Sequence, residues 1–222
     1  MLRHNGSHFS MGRKKKEKEE PVRENFCDCG ECGATAGPQM PFPMPPEGVE
    51  TEENKIYFYA EVNEKSILAL NRELARLDTD MQVVKLKLGV LPVIELHINS
   101  PGGSLISGLA ATDYISKCKT PVHTYVDGSA MSAATLMSIA GTRRLIHKNS
   151  FMLVHQLSSV LYGKFSECED EMENQKLLMR TIKKIYLEKT KLNETELEAL
   201  LKRDIYLDAE TCLKHGLVDE IV

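Results

Sequence analysis

Three short stretches of this chain hold side chains and backbone suited to covalent chemistry at a carbonyl. The first, Ser100-Pro101-Gly102-Gly103, follows the apolar run Val93–Ile98. Two glycines at a strand end let a substrate backbone approach and leave amide N–H groups pointing outward. The second, Gly128-Ser129-Ala130-Met131-Ser132-Ala133-Ala134, stands between a strand-like run and a small-residue helix. Such a turn can set a hydroxyl and the next N–H at a helix N-terminus, where unpaired donors stabilise a developing oxyanion. Ser132 reads equally as a plain N-cap, the commoner use of serine in that setting. The third is His155, at the end of Phe151–Val154 and followed by Gln156. It can act as a general base if a serine lies opposite. His97, His123 and His147 compete for that role, and Asp204, Asp208 and Asp219 are all available to orient an imidazole. No G-x-S-x-G elbow is present, so an α/β-hydrolase gains no support. The residues allow a Ser–His–Asp set without choosing its members.

These stretches need elements to bring them together. Ile56–Ala60 reads as a strand, and Lys65–Leu77 carries Ile67, Leu70, Leu74 and Leu77 at helical spacing. Lys85–Val90 reads as a loop or an added strand. Val93–Ile98 is β-branched and stops at a strong turn signal, then a helical window runs from Leu105 to Lys117. Pro121 leads into a strand at Val122–Val126, and a small-residue helix is expected over Ser132–Ala140. Two short strands, Arg144–His147 and Phe151–Val154, precede the longest helical pattern, Phe165 to Lys189. Asn193 with Glu196 caps a helix through Leu201, Asp208 caps another that Gly216 ends, and Leu217–Val222 reads as a last strand. Alternating strands and helices predict an α/β domain with mainly parallel pairing.

Composition narrows the class of function. The 222 residues carry 28 Lys+Arg against 32 Asp+Glu, a net charge of −4, which gives no electrostatic reason to expect nucleic acid. No apolar run reaches the roughly 18 residues a membrane span needs. The N-terminus has basic residues but no apolar h-region, so a secretory signal is not expected and a cytoplasmic location with reduced thiols is. Residues 1–51 read as a tail: a mixed charge block precedes Pro38–Pro46, which holds five of the nine prolines in a polyproline-like linker. The domain is expected over 52–222. Cys27, Cys29 and Cys32 in the tail lack the fourth ligand of a structural zinc site, so they read as a thiol-rich segment.

INSPGG (98–103), GSAMSAA (128–134), MLVHQ (152–156), RDIYLDAE (203–210) and GLVDEI (216–221) together resemble the proteolytic subunit of the Clp protease, a serine peptidase family. They occur in that family's order, and ENKIYFYAEV (53–62) is similar to its first core strand. The resemblance implies an α/β fold of the crotonase-like kind, a superhelix of repeated ββα units with a protruding handle helix. Carried over by position, it makes Ser132 the nucleophile, His155 the general base and Asp204 the orienting acid. The backbone N–H groups of Gly103 and Ala133 become the oxyanion donors. Asp204 is chosen because Arg203-Asp204 precedes an aromatic and Leu207, whereas Asp208 fits the following N-cap. The resemblance further implies polypeptide substrates, a ring homo-oligomer (a double heptamer by analogy), and an ATP-driven AAA+ unfoldase as partner. It implies no metal and no cofactor in this chain.

Over residues 128–134 the serine loop departs from the family's commoner G-Q-A-A-S-M-G at Ser129, Met131, Ala133 and Ala134, and Leu157 replaces the usual proline after His-Gln. Two other tasks for the same fold stay open on the residues: a dedicated processing peptidase of the capsid-maturation or signal-peptide-peptidase kind, and a non-catalytic ring scaffold.

Overall fold

A computed structural model describes residues 48–90 and 92–222. The expected linker and Cys27, Cys29 and Cys32 lie outside the described residues. The first elements are β1 (Val49–Glu52) and β2 (Lys55–Phe58), an antiparallel pair that sets buried Val49 opposite Phe58. β1 therefore begins ahead of Glu52, where the domain was expected to start.

Helix α1 (Glu64–Leu88) opens at Asn63, whose side chain accepts from the Lys65 and Ser66 N–H groups. Leu70, Leu74 and Leu77 fall on one face and are buried, so truncating any of them would cost about 2–5 kcal/mol. The stretch from Lys85, expected to be a loop or a strand, instead completes this helix as far as Leu88. Leu86 and Leu88 face solvent there, so no burial pattern marks the turn as helical. What ends it is Gly89, left-handed at φ 68, its N–H donating to the Lys85 carbonyl.

The remaining elements alternate. They are β3 (Ile94–Ser100), α2 (Leu105–Lys117), β4 (Val122–Met131), α3 (Ala133–Ile139), β5 (Arg143–Ile146), β6 (Phe151–Leu153), α4 (Phe165–Lys189), α5 (Glu194–Leu201), α6 (Ala209–His215) and β7 (Glu220–Ile221). The sheet runs β1-β2-β3-β4-β5-β7, parallel after the first hairpin, with β6 added on β4. This is a mixed α/β architecture, as the alternation predicts.

β4 differs most from expectation. The sequence marks a strand ending at Val126, yet β4 continues to Met131. Its first half pairs with β5 through Val126, and its second half, Ser129–Met131, pairs with β6. Between them Gly128 adopts φ +88, a left-handed turn that glycine takes without strain. One strand thus changes partner midway, and its far end is carried away from β5 toward β6. The β3–β4 register also shifts between Ile98 and Ser100. α4 is anchored near its C-terminal end by buried Ile182 and Tyr186, while Phe165, Met172 and Leu177 on its earlier turns are exposed. The apolar stripe is therefore only partly used within one chain, and much of α4 projects.

Among the described residues, no helix is long and apolar enough to cross a membrane.

Candidate active site

The end of β4 sets the geometry. Ser132 follows Met131 directly and has φ 53, ψ −124, a region that non-glycine residues rarely enter and that costs about 1–3 kcal/mol. Its N–H donates to the Leu153 carbonyl at 2.9 Å, which extends the β4–β6 ladder by one step. Ser132 occupies the N-cap position of α3, but its side chain makes no capping bond. The hydroxyl is left free at a sharp turn.

The loop from β3 packs against this turn. A Cβ on Gly102 would lie 2.4 Å from the Met131 carbonyl oxygen and 2.7 Å from Ser132 Cβ, and Gly102 itself has φ +88. Only glycine fits there. Beside it, the Gly102 carbonyl accepts from Val62 N–H and the Ser104 N–H donates to the Val62 carbonyl, both at 2.7 Å. This bridge uses the groups on either side of Gly103 and leaves the Gly103 N–H outside it. Ala133 is the first residue of α3, so its N–H has no partner within the helix.

His155 lies just past β6, after buried Val154. It lines the same cavity as Ser132, a cleft of about 410 Å³ whose walls include Gly103, Ala133, Leu136, Ile182 and Tyr186. Leu207 exchanges two hydrogen bonds with Met152, at 2.9 and 2.7 Å, and Gln156 N–H donates to the Leu201 carbonyl. These bonds lash the segment holding Asp204 to β6. Asp204 Oδ1 then stands 3.5 Å from His155 Nδ1, with the histidine partly buried and the aspartate 81% exposed. No hydrogen bond joins Ser132 Oγ to His155 in this arrangement. Proton transfer therefore requires the pair to close up, as catalytic pairs commonly do when substrate binds.

The competing residues are engaged elsewhere. Asp208 caps α6 by accepting from Thr211 N–H, and hydrogen bonding from the Thr211 side chain, with that N–H adding to it, holds its carboxyl below the usual range. Asp219 is paired with Arg144, whose hydrogen bonds likewise keep it low. His97 and His147 both turn to Asp127, and His123 is held toward its neutral form by burial, with Arg143 adding to the effect. Ser129 Oγ bonds to Asn99 at 3.2 Å, outside the cavity. Burial raises the Cys118 thiol to about 11 and the Cys212 thiol to about 12, so neither offers a thiolate near neutral pH.

Sequence inspection missed two cavity neighbours, Thr135 and Tyr186. They share a hydrogen bond, Tyr186 lines the cleft, and Thr135 also bonds the Ser132 carbonyl. The available signal was a phenol in the middle of an apolar helical stripe, because a buried tyrosine hydroxyl needs a partner. Among the described residues, no group of three or more His, Cys, Asp or Glu is arranged to hold a metal ion.

The family model described as Clp protease matches residues 50–222. The ATP-dependent Clp protease proteolytic subunit of Deinococcus radiodurans is 33% identical over 131 residues, which is 58% of this chain and 64% of that protein. The aligned part thus spans just under two thirds of that relative's length. Among solved structures, a ClpP1 point mutant from Listeria monocytogenes superposes with a TM-score of 0.64 at 22% identity, covering 74% of this chain and 88% of the other. That likeness concerns the fold.

Proposed function

The chain belongs to the Clp protease family, and we propose that it is a serine endopeptidase that hydrolyses peptide bonds of unfolded polypeptides through an acyl-enzyme. The observation that carries this reading is the meeting of Ser132 and His155 in one cleft, with Asp204 within 3.5 Å of the imidazole. In the reaction, His155 takes the hydroxyl proton as Ser132 Oγ attacks the substrate carbonyl, then gives it to the departing amine. Water next attacks the ester with His155 again as base, releasing the acid and restoring Ser132. The N–H groups of Gly103 and Ala133 receive the oxyanion in both tetrahedral states. Asp204 orients the imidazole. No step calls for a metal or an organic cofactor.

The cleft is open and its walls are mainly apolar, which suits an extended polypeptide better than a small polar ligand. The exposed apolar turns of α4 support assembly into a ring of like subunits, with a double heptamer the arrangement expected by analogy. ATP would then be consumed by a partner unfoldase, and a cytoplasmic location fits such a partner. Native mass spectrometry tests the assembly; a stable monomer with full peptidase activity would sink it.

Fluorophosphonate labelling of the wild type beside Ser132→Ala and Ser129→Ala tests the site. Label is expected on Ser132 and lost only in Ser132→Ala. Label on Ser129, or none on assembled protein, overturns the assignment. Casein degradation that depends on an ATPase separates general proteolysis from cleavage of one dedicated partner.

A further inference from the structure

The hydroxyl protons around Ser132 can be assigned by counting. Thr135 has one. Its Oγ1 donates it to the Ser132 carbonyl oxygen at 2.5 Å, and the same oxygen accepts the Thr135 N–H at 3.0 Å. With that proton spent, the hydrogen bond between Thr135 Oγ1 and the Tyr186 hydroxyl must run the other way, with Tyr186 donating. Tyr186 is 51 residues distant in sequence, lies on α4 and is buried. Burial pushes its phenol up to about 12, so it keeps its proton at any working pH. The chain of bonds therefore has one direction, from Tyr186 through Thr135 to the Ser132 carbonyl.

That carbonyl belongs to the peptide joining Ser132 to Ala133. The unit is planar and trans, so its C=O and N–H point in opposite directions. Whatever fixes the Ser132 carbonyl also fixes the aim of the Ala133 N–H. The fixing is needed, because ψ −124 at a residue with φ 53 lies in a sparsely populated region. Two bonds on one carbonyl hold it there.

We propose that Thr135 and Tyr186 are positioning residues for catalysis: their hydroxyl relay pins the Ser132 carbonyl and thereby aims the Ala133 N–H into the cleft. The inference rests on the roles assigned above to Ser132 and Ala133. It also makes the anchored end of α4 part of the site's support, since the relay starts on that helix.

The test uses full-length protein carrying Thr135→Val, Thr135→Ser, Tyr186→Phe, and Thr135→Val with Tyr186→Phe together. Thr135→Val strands a buried phenol, so it destabilises for a reason unrelated to catalysis. The double variant removes both hydroxyls and recovers melting temperature. Its kcat, measured per fluorophosphonate-titrated site, is expected to stay down about tenfold or more, with KM within about twofold. Thr135→Ser restores the hydroxyl and is expected to restore kcat. A double variant that regains wild-type kcat along with its stability overturns the proposal, since the pair would then be structural only. Wild-type protein that fails to label at Ser132 overturns the catalytic reading and this inference with it, so the two failures are distinguishable.

Discussion

At Asp127, midway along β4, a carboxylate is gripped by its neighbours. The Tyr59 hydroxyl donates to Oδ2 at 2.8 Å, His97 Nδ1 lies 2.8 Å from the same oxygen, and His147 Nε2 lies 3.1 Å from Oδ1. The His97 ring is stacked between Tyr57 and Tyr125, with centroids 4.9 and 4.7 Å away. At the far end of the same strand, Ser132 Oγ has no partner and His155 meets Asp204 only at 3.5 Å. The middle of β4 and its far end thus each bring together a histidine, an aspartate and a hydroxyl. By residue type and proximity alone, the Asp127 group is the better-made trio. It nevertheless lines no part of the cleft, and burial with the neighbouring carboxylate raises the Tyr59 phenol to about 12. Its bonds are spent on holding the sheet. The Ser132 end keeps a free hydroxyl on a strained turn, beside a histidine that faces an open cleft. A candidate site is better recognised by groups left uncommitted than by groups well bonded.

Substitutions can break this comparison at either end. Ser132→Ala should reduce peptide hydrolysis by about a thousandfold or more, and His155→Ala similarly, as measured by steady-state kinetics on a fluorogenic peptide. An equally deep loss in Asp127→Asn would reverse the assignment of the two trios. Gly102→Ala places a Cβ where the Met131 carbonyl already stands. It should lower kcat by about a hundredfold through displacement of the Ser132 turn, with crystallography or labelling rate as the check.

Asp204→Asn sharpens the contrast on the catalytic side. Its carboxylate is mostly in water and the pair is long, so screening weakens it relative to a buried acid. The expected loss in kcat is about tenfold to a hundredfold, less than for His155→Ala. A loss as deep as that of His155→Ala would mean that Asp204 closes in during turnover.

The smallest effect on activity belongs to Asp127→Asn, within about twofold in kcat, with about 1–3 kcal/mol lost from folding stability at neutral pH. Its pH dependence has a definite sign. Burial opposes the Asp127 carboxylate, but hydrogen bonds from His97 and Tyr59 outweigh it and hold the carboxyl below its ordinary 3.8. The stabilisation it gives is therefore present above that ordinary value and is lost as pH falls through the lower folded-state value. Chemical denaturation between neutral pH and acid should show wild type losing more stability than Asp127→Asn. Equal losses would show that the Asp127 charge contributes nothing to the fold.

Much of the architecture could be read residue by residue, because it depends on local signals. α2, α4, α5 and α6 begin and end where expected: Ser104, Asn193 and Asp208 accept backbone N–H bonds at helix starts, and Gly216 turns left-handed at φ 68 to end one. Caps and periodicity act over a few residues, so a linear string displays them. The second half of β4 was hidden because Gly128 looks like a turn when its new partner, β6, is out of view. The last turns of α1 were hidden because their leucines face solvent.

The same division runs through the candidate site. Ser132, His155 and three possible acids are visible as types at intervals, and a family resemblance ordered them. Their meeting depends on β4 changing strands, on Leu207 bonding back to Met152, and on Tyr186 reaching Thr135 from another helix. These are contacts between segments far apart in the chain. Their geometry comes from packing, which no local run of residues encodes, whereas caps, turns and apolar stripes are written where they act.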